Sequence, residues 1–320
     1  MRIPRFIVGM FSVAMLILGA NAASGQTFPS KPVRIVTSEP GGSGDLLGRL
    51  IAQGLTGGLG QPVIVENRGG SVVIPSLIVA KASPDGYTLL LYGGTFWVGP
   101  LLESMPYDPV KDFSPVTLAV GSPGIVVVHP SLPVNSVKEL IALAKAKPGA
   151  LNYGSGATGA ITHLAVELFK VMAGVNVVRI PYKGAGPAIN ALIGGQVQFM
   201  FATSGSVASH VKSGKLKALA VTSAQPSRLF PDLPTVAATV PGYRGESIFG
   251  LFAPAKTPAA IIRRLNQEIV RVLNSTDVKE KLFTSGIEVV ASSPEEFGAA
   301  LKTEIARLRK VIQDAGIKAE

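Results

Sequence analysis

The sequence contains no cysteine. This absence excludes disulfide bonds, thiolate nucleophiles, cysteine-ligated zinc and iron–sulfur clusters. Histidine is scarce as well, with three residues at His129, His163 and His210. Their wide spacing places no two of them on one helical turn, so a zinc site of the H-x-x-x-H type is absent. We therefore expect no metal site.

Charged residues are also few, and their signs are unbalanced. They make up 16% of the chain, with 30 Lys and Arg against 20 Asp and Glu and a formal net charge of +10. The basic residues are scattered, and the single tryptophan leaves no aromatic stripe among them. We expect no nucleic-acid partner, because such partners need a concentrated basic patch. The net positive charge is compatible with attraction of small anions.

The rest of the composition is that of a folded protein. Apolar residues make up 47% of the 320 residues, far from the low hydrophobicity and high charge that leave chains disordered. At about 100–200 residues per domain, this length predicts two domains or one large one.

Residues 1–25 have the order of a secretory signal peptide. Arg2 and Arg5 precede an apolar run from Phe6 to Ala20, and small residues follow it. The run has about 15 residues, fewer than the ~20 that a membrane span requires. We expect cleavage near residues 22–25 and a mature protein exported to the periplasm. The alternative is an uncleaved membrane anchor.

Short runs rich in Val and Ile alternate with helix-length segments along the remaining chain. This alternation predicts an α/β fold with mostly parallel sheets. Capping boxes at Ser136 and Ser293 mark two helix starts, and a third helix follows Pro258. The predicted strands lie at 33–36, 63–65, 87–91, 125–128, 177–180 and 216–221.

Two stretches rich in Pro and Gly, 113–124 and 233–245, divide the chain into three parts. If the last part packs with the first, one lobe is discontinuous and the other is continuous. We expect residues 27–120 and 246–320 to form the first lobe and residues 121–245 to form the second.

A glycine-rich loop follows the first predicted strand and leads into an amphipathic helix. It reads Pro40-Gly41-Gly42-Ser43-Gly44-Asp45. Glycines let backbone amides approach a ligand, and a helix start offers unpaired N–H groups to an anion. The loop is therefore a candidate carboxylate or phosphate site in which Ser43 adds a hydroxyl. The alternative is a plain turn capped by Ser43 or Asp45.

A second glycine-rich loop, Gly154-Ser155-Gly156-Ala157-Thr158-Gly159, also precedes a helix. Its glycines match the G-x-G-x-x-G dinucleotide pattern, and Arg179 follows where an NADP site has a basic residue. One hypothesis is therefore an NADP-linked oxidoreductase that uses Gly154–Gly159. The predicted export argues against a recycled nicotinamide, and the preceding strand is short and polar. An anion-binding loop is the better interpretation, and we expect no cofactor.

Three further loops follow predicted strands. They contain Thr95, Lys183 and Thr203. Open α/β sheets bind ligands at the carboxyl ends of their strands, so each is a candidate, although each alone is more often structural. His163, near the start of the helix after the second glycine-rich loop, either contacts a ligand or packs inside.

Residue patterns typical of catalysis are missing. The sequence has no G-x-S-x-G elbow, its histidines have no recognisable Ser and Asp partners, and no acidic pair stands out. We therefore expect a binding protein and not an enzyme.

Several short motifs occur in a recognisable order along the mature chain. They are Phe28-Pro29-Ser30-Lys31-Pro32-Val33-Arg34, Pro40-Gly41-Gly42 with Asp45, Gly60-Gln61-Pro62-Val63-Ile64-Val65-Glu66-Asn67-Arg68, Pro84-Asp85-Gly86-Tyr87-Thr88, Tyr107-Asp108-Pro109-Val110-Lys111-Asp112-Phe113, Pro181-Tyr182-Lys183-Gly184, Gly194-Gly195-Gln196-Val197 and Pro231-Asp232-Leu233-Pro234-Thr235-Val236. In this order they resemble the Bug/TctC family of substrate-binding proteins of tripartite tricarboxylate transporters. The resemblance covers essentially the whole mature chain.

The resemblance implies a type II periplasmic binding protein fold, in which two α/β lobes joined by two crossing strands close on a ligand. It implies a small organic carboxylate between the loop at Gly41–Asp45 and the loop at Ser155–Thr158. It also implies delivery to a tripartite membrane permease, and the alternative is a ligand sensor that acts on a signalling partner. We expect a monomer.

One departure from the family pattern concerns the ligand. Many members have an acidic residue where this chain has Ala202, and an acid there would suit a ligand amine. We therefore expect a carboxylate without a free amine. The residues expected to bind it are Ser38, Gly41, Gly42, Ser43, Gly44, Asp45, Thr95, Ser155, Gly156, Ala157, Thr158, His163, Lys183, Ala202 and Thr203.

Overall fold

The structure of the chain, a computed structural model, describes residues 28–38, 40, 43–69, 71–156 and 159–317. Outside this part of the chain lie the predicted signal peptide and four predicted ligand-binding residues, Gly41, Gly42, Ala157 and Thr158. Within it, no helix combines the length and the apolar character that crossing a bilayer requires.

The described chain forms two sheets with helices packed against them. The strands are β1 (Val33–Thr37), β2 (Val63–Asn67), β3 (Thr88–Gly93), β4 (Phe113–Ser122), β5 (Gly124–Val128), β6 (Asn152–Ser155), β7 (Val178–Pro181), β8 (Phe199–Thr203), β9 (Lys217–Val221), β10 (Ser247–Pro254) and β11 (Glu288–Val289). The helices are α1 (Ser43–Leu59), α2 (Val73–Ala80), α3 (Thr95–Leu102), α4 (Val137–Ala146), α5 (Ile161–Ala173), α6 (Ala185–Ile193), α7 (Ser204–Lys212), α8 (Ala259–Leu273), α9 (Thr276–Thr284) and α10 (Pro294–Asp314), with a 3₁₀ turn at Val236–Ala238.

Both sheets are mixed. The larger has the order β11-β4-β10-β3-β1-β2 and the smaller has the order β7-β6-β8-β5-β9. β1 is parallel to β2 and β3, and β6 is parallel to β7 and β8, whereas β10 and β5 are antiparallel to their neighbours. The prediction of mostly parallel sheets is therefore wrong. The chain passes from the larger sheet into the smaller one at β5 and returns to the larger sheet at β10. Each of these two strands runs antiparallel to the parallel strands of the sheet that it enters.

The stretch 113–124 is not the break that its Pro and Gly content predicts. Strand β4 occupies most of it and pairs with both β10 and β11. Pro115 lies opposite Phe252, beside a shift in the register of the β4–β10 pairing. Such irregular positions are where a strand tolerates proline.

The predicted helix starts at serines are confirmed, with one difference in detail. At Ser293 the full capping box forms, since Glu296 N donates to Ser293 Oγ and Ser293 N donates to the Glu296 carboxylate. At Ser136, Oγ accepts from Glu139 N at 3.1 Å, but the Glu139 carboxylate accepts from Asn135 N at 2.7 Å. The reciprocal bond is thus made one residue earlier in the chain.

Helices α1 and α8 cover one face of the larger sheet. Leu47 and Ile51 of α1 are fully buried in one core cluster with Leu265 and Ile269 of α8. The predicted helix after Pro258 is therefore confirmed. Each such side chain contributes about 1.5–3 kcal/mol when it is removed from water.

The C-terminal helix α10 covers the other face of the larger sheet and reaches the smaller one. Phe297 packs against Phe252 of β10, and a side chain at Gly250 would collide with the Phe297 ring. Near the end of the helix, Val311 belongs to the core of the smaller sheet. One helix thus contributes to both cores.

The chain crosses between the sheets twice, once through Pro123 and once along residues 222–246. Gly124 N donates to Thr222 Oγ1 at 2.8 Å, and Thr222 Oγ1 donates to the Gly245 carbonyl at 2.6 Å. The two crossing segments are therefore hydrogen-bonded to each other.

Candidate ligand-binding site

Two neighbouring cavities of about 340 Å³ each take residues from both halves of the molecule. The tryptophan cavity is lined by Trp97 and by Ser38, Thr95, Ala160, Glu246 and Glu304, among others. The serine cavity is lined by Ser43, Ser122, Thr203, Ser206 and Ser285, among others. Ser247 and Phe249 line both cavities. The two cavities together form a cleft, and the ring of Phe249 lies where they meet.

Several helices begin at this cleft. α3 and α5 begin at the tryptophan cavity, and α1 and α7 begin at the serine cavity. Gly94, Ala160 and Thr203, the cap residues of α3, α5 and α7, give no side-chain hydrogen bond to the first turn. The starts of these helices, with the positive ends of their dipoles, therefore lie at the cleft. This arrangement attracts an anion.

Beside the first glycine-rich loop, a carboxylate at the start of α1 is linked through Asn67 to Ser38, which follows β1. Asp45 Oδ1 accepts from Asn67 Nδ2 at 3.0 Å and pairs with Arg49 Nε at 2.9 Å. Asn67 Nδ2 also donates to the Ser38 carbonyl at 3.0 Å. Asp45 is buried, and the contacts described for it lie within this network. Asp45 thus joins the start of α1 to Asn67 at the end of β2, and its predicted ligand contact stays a prediction.

Gly156 and Gly159 of the second glycine-rich loop are bonded to side chains of α5, the helix that follows the loop. Gly156 N donates to Thr162 Oγ1 at 3.0 Å, and Gly159 N donates to His163 Nδ1 at 3.2 Å. Thr162 and His163 are both buried. His163 thus lies inside the protein with its ring nitrogen Nδ1 bonded to Gly159, and its predicted ligand contact stays a prediction.

Ser155, at the end of β6, is completely buried, and its hydroxyl donates to the Gly156 carbonyl at 3.1 Å. That hydroxyl also accepts from Arg179 Nε at 2.8 Å, and Arg179 Nη2 donates to the Gly156 carbonyl at 3.0 Å. Arg179 is therefore part of the second loop's support. Arg179 lies 24 residues after Ser155 in the chain and reaches it through the pairing of β6 with β7.

A buried polar group lies behind the second loop. The Tyr153 hydroxyl donates to Glu167 Oε1, and Glu167 Oε2 pairs with Lys170 at 2.9 Å. Burial, followed by the hydrogen bond and charge of Glu167, raises the pKa of Tyr153. The phenol therefore stays protonated and ties β6 to α5 at neutral pH.

The remaining predicted residues differ in their positions. Thr95 and Thr203 line the cleft, and Gly44 is buried in the first turn of α1. Lys183 is exposed and lines neither cavity. Ala202 is 1% exposed and packs in the hydrophobic cluster of the smaller sheet. Ala202 also lines a small cavity together with Ser122, Thr203 and Thr222.

Two acidic residues at the tryptophan cavity have no counterpart in the predicted site. Glu246 pairs with Arg244 at 2.5 Å, and Glu304 pairs with Arg307 at 2.6 Å. Arg307 Nη1 also donates to the Arg244 carbonyl at 2.7 Å, which joins the two pairs. Glu304 belongs to the C-terminal helix, and no local pattern in the sequence connects that helix with the glycine-rich loops.

The described residues contain no cluster of metal ligands, and the residues of the dinucleotide pattern make contacts within the protein. Among the described residues, no group of three or more His, Asp or Glu side chains could hold a metal ion. Gly154 lies within β6, opposite Ile180. Arg179, the residue considered for an NADP phosphate, bonds to the loop itself.

A family model described as the tripartite tricarboxylate transporter family receptor, TctC, matches residues 47–317. Protein BugT of Bordetella pertussis is 37% identical over 318 residues, which cover 98% of this chain and 97% of BugT. These matches confirm the resemblance that the short motifs indicate.

Solved structures agree with the family match. Rpa4515 of R. palustris, solved with adipate, is 37% identical, with a TM-score of 0.73 over 92% of this chain and 100% of its own. MatC from Rhodopseudomonas palustris, solved with bound malate, is 29% identical, with a TM-score of 0.70 over 89% of this chain and 100% of its own. The predicted class, an α/β binding-protein fold, is therefore confirmed.

Proposed function

The chain belongs to the tripartite tricarboxylate transporter receptor family, and we propose that it captures a small organic carboxylate in its cleft and delivers it to a membrane permease. The family consists of transporter receptors, so the chain is a binding protein and not an enzyme. The hypothesis of an NADP-linked oxidoreductase is accordingly not supported.

One observation supports a carboxylate above others. Helix starts from both halves of the molecule meet at the cleft, and the described cap residues leave their first-turn amides without a side-chain acceptor. Relatives solved with adipate and with malate are consistent with this chemistry. A bound carboxylate would accept hydrogen bonds from both halves, and each such charge-assisted bond is worth about 1.5–3 kcal/mol.

Binding of this kind would couple the ligand to closure of two lobes. Our proposed limits are residues 27–120 with 246–320 for the first lobe and residues 121–245 for the second. The composition of the two sheets supports this division, since β5 to β9 build the smaller sheet. A ligand that contacts both lobes favours the closed state. Small-angle scattering should show a smaller radius of gyration with ligand.

Isothermal titration calorimetry of the exported protein tests the ligand class. The panel is adipate, malate, citrate and benzoate, with adipamide as the uncharged partner of adipate. We expect at least one acid to bind and adipamide to bind far more weakly than the acids. Equal binding of adipamide, or no binding by any organic acid, would contradict the proposal.

Export and delivery need separate experiments. N-terminal sequencing of the protein from a periplasmic extract should begin near residues 22–25, whereas an intact N-terminus in the membrane fraction would support the anchor. Uptake of the bound acid should be lost in cells that lack this chain. Unchanged uptake with intact binding would favour a sensor over a transport receptor.

A further inference from the structure

Apart from the predicted signal peptide, the net positive charge of the chain comes from one half of the molecule. Residues 121–245, which include the strands of the smaller sheet, contain eleven Lys and Arg and three Asp and Glu. Residues 27–120 together with 246–320 contain 17 basic and 17 acidic residues. Charge that is concentrated in one part of a chain favours an oppositely charged partner for that part.

The basic half also carries an open groove of about 680 Å³, which shares no lining residue with the ligand cleft. Apolar side chains line much of it, among them Ile141, Met172 and Val240. Met172 is 38% exposed, so a large apolar side chain is left open to solvent. Among the described residues, the charged side chains that line the groove are Lys138 and Lys145, and none is acidic.

The two lysines flank an apolar side chain on one face of α4. Lys138, Ile141 and Lys145 follow each other at intervals of three and four residues, which is the spacing of one helix face. Both lysines are exposed, and within the described part of the chain neither ammonium group has an ion pair or a hydrogen bond. The neighbouring carboxylate, that of Glu139, accepts from Asn135 N at 2.7 Å. Both cations are therefore available to an anionic partner.

Two elements that line the groove also reach the ligand cleft. α5 runs from Ile161, which lines the tryptophan cavity, to Ala173, which lines the groove. The crossing segment 222–246 contains Val240 at the groove and Glu246 at the tryptophan cavity. A partner in the groove would therefore contact the same elements that contact a ligand in the cleft. A partner that responds to the loaded receptor needs such a connection between two sites.

We infer that this groove docks an acidic segment of the membrane permease, in which an apolar side chain lies between two carboxylates. The carboxylates pair with Lys138 and Lys145, whose positions seven residues apart on α4 are separated by about 10 Å. The apolar side chain packs on Ile141 and Met172. The inference rests on the proposed function, because it takes a permease to be the receiver of the ligand.

An anionic lipid surface is attracted by the same charge, but it fits the groove less well. A membrane surface is broad, whereas the groove is concave and has apolar side chains between its two lysines. A protein segment can fill such a shape with one side chain and pair both charges at the same time. The observations therefore favour a protein partner, and lipid binding is an outcome that the experiment separates.

Charge reversal at the groove has a matched control in the same half of the molecule. K138E/K145E replaces both groove lysines, and K212E/K215E replaces two exposed lysines at and just after the end of α7, which do not line the groove. Both double variants change the net charge equally. Neither pair lines the ligand cleft. Calorimetry should therefore give both variants the affinity of the wild type for the acid that the panel identifies.

The experiment measures co-sedimentation of the purified protein with right-side-out membrane vesicles of the bacterium that produces this chain, with the acid present. We expect K138E/K145E to bind about tenfold or more weakly than the wild type, because two ion pairs become two repulsions. K212E/K215E should stay close to the wild type. High salt and protease treatment of the vesicles should both weaken wild-type binding. Liposomes of the extracted lipids should not bind the protein.

The outcomes separate this inference from the proposed function. Equal weakening by both double variants would show that the charge of the whole half acts and not the groove, and would overturn the inference. Binding to the liposomes, or no binding of the wild type to the vesicles, would overturn it as well. If no organic acid binds in calorimetry, the proposed function is wrong, and docking is then judged from vesicle binding alone. If K138E/K145E does not fold, K138Q/K145Q against K212Q/K215Q decides by the same measurement.

Discussion

The two glycine-rich loops at the cleft are supported by groups of opposite charge. Asp45 is the centre of the first network, and its carboxylate is balanced by Arg49 and bonded to Asn67. Arg179 is the centre of the second, and its guanidinium is bonded to Ser155 and to a backbone carbonyl. The contacts described for the first network include an ion pair, and those described for the second are hydrogen bonds from a guanidinium.

This difference predicts different sensitivities at the two networks. Substitutions at the first network act on an ion pair whose Arg49 side chain is exposed, whereas substitutions at the second act on buried hydrogen bonds. We therefore expect changes at the second network to cost more stability.

The largest effect is expected from a carboxylate added near the end of β8. Ala202 packs with Ile125 and Val127 in a hydrophobic cluster. Ala202→Asp should therefore lower the free energy of unfolding by about 3 kcal/mol or more, because an uncompensated charge is buried. Thermal melting of Ala202→Asp against Ala202→Asn isolates the charge. An unchanged melting temperature in the Asp variant would show that the side chain reaches the cleft.

Geometry at the first loop is tested by adding one methyl group. A Cβ at Gly44 would lie 2.8 Å from Thr37 Oγ1 and 3.2 Å from Ser38 Oγ. Gly44→Ala should cost about 1–3 kcal/mol of stability through overpacking and should weaken ligand binding. Gly184→Ala is the control, since nothing lies within 4 Å of a Cβ there. Equal melting temperatures for the two variants would contradict the prediction.

A matched pair of polar deletions compares the two networks directly. Thr162→Val leaves the buried Gly156 N–H without its acceptor and should cost about 1–3 kcal/mol. Asp45→Asn removes an ion pair whose Arg49 side chain is 61% exposed, and it should cost about 0–1 kcal/mol. Urea unfolding measures both. If Asp45→Asn proves the more costly, the ion pair is worth more than its exposure indicates.

The smallest effect concerns acid. Burial acts to raise the pKa of Glu66, but the hydrogen bond from Arg68 and the charge of Arg34 outweigh it and lower the pKa. A lowered pKa in the folded state means that the contribution is present above the ordinary pKa and is lost as the pH falls through the folded value. Glu66→Gln should therefore show a slightly weaker loss of stability on acidification. Identical pH profiles would contradict this.

Local sequence predicted much of the fold. The runs 33–36 and 63–65 became β1 and β2, and the Ser293 capping box begins α10 as predicted. These features depend on side-chain periodicity and on caps, which act within a few residues. Strand β4 was missed, because its prolines and glycines are tolerated only through its pairing with β10 and β11.

The sequence by itself determined the family, the α/β class and the positions of both glycine-rich loops. Only the tertiary structure decided which side chains support those loops. Arg179 reaches Ser155 because β7 pairs with β6 in one register, and Glu304 reaches the tryptophan cavity because α10 folds back onto the first half of the chain. Register and helix docking are fixed by packing across the whole molecule, so no local pattern encodes them.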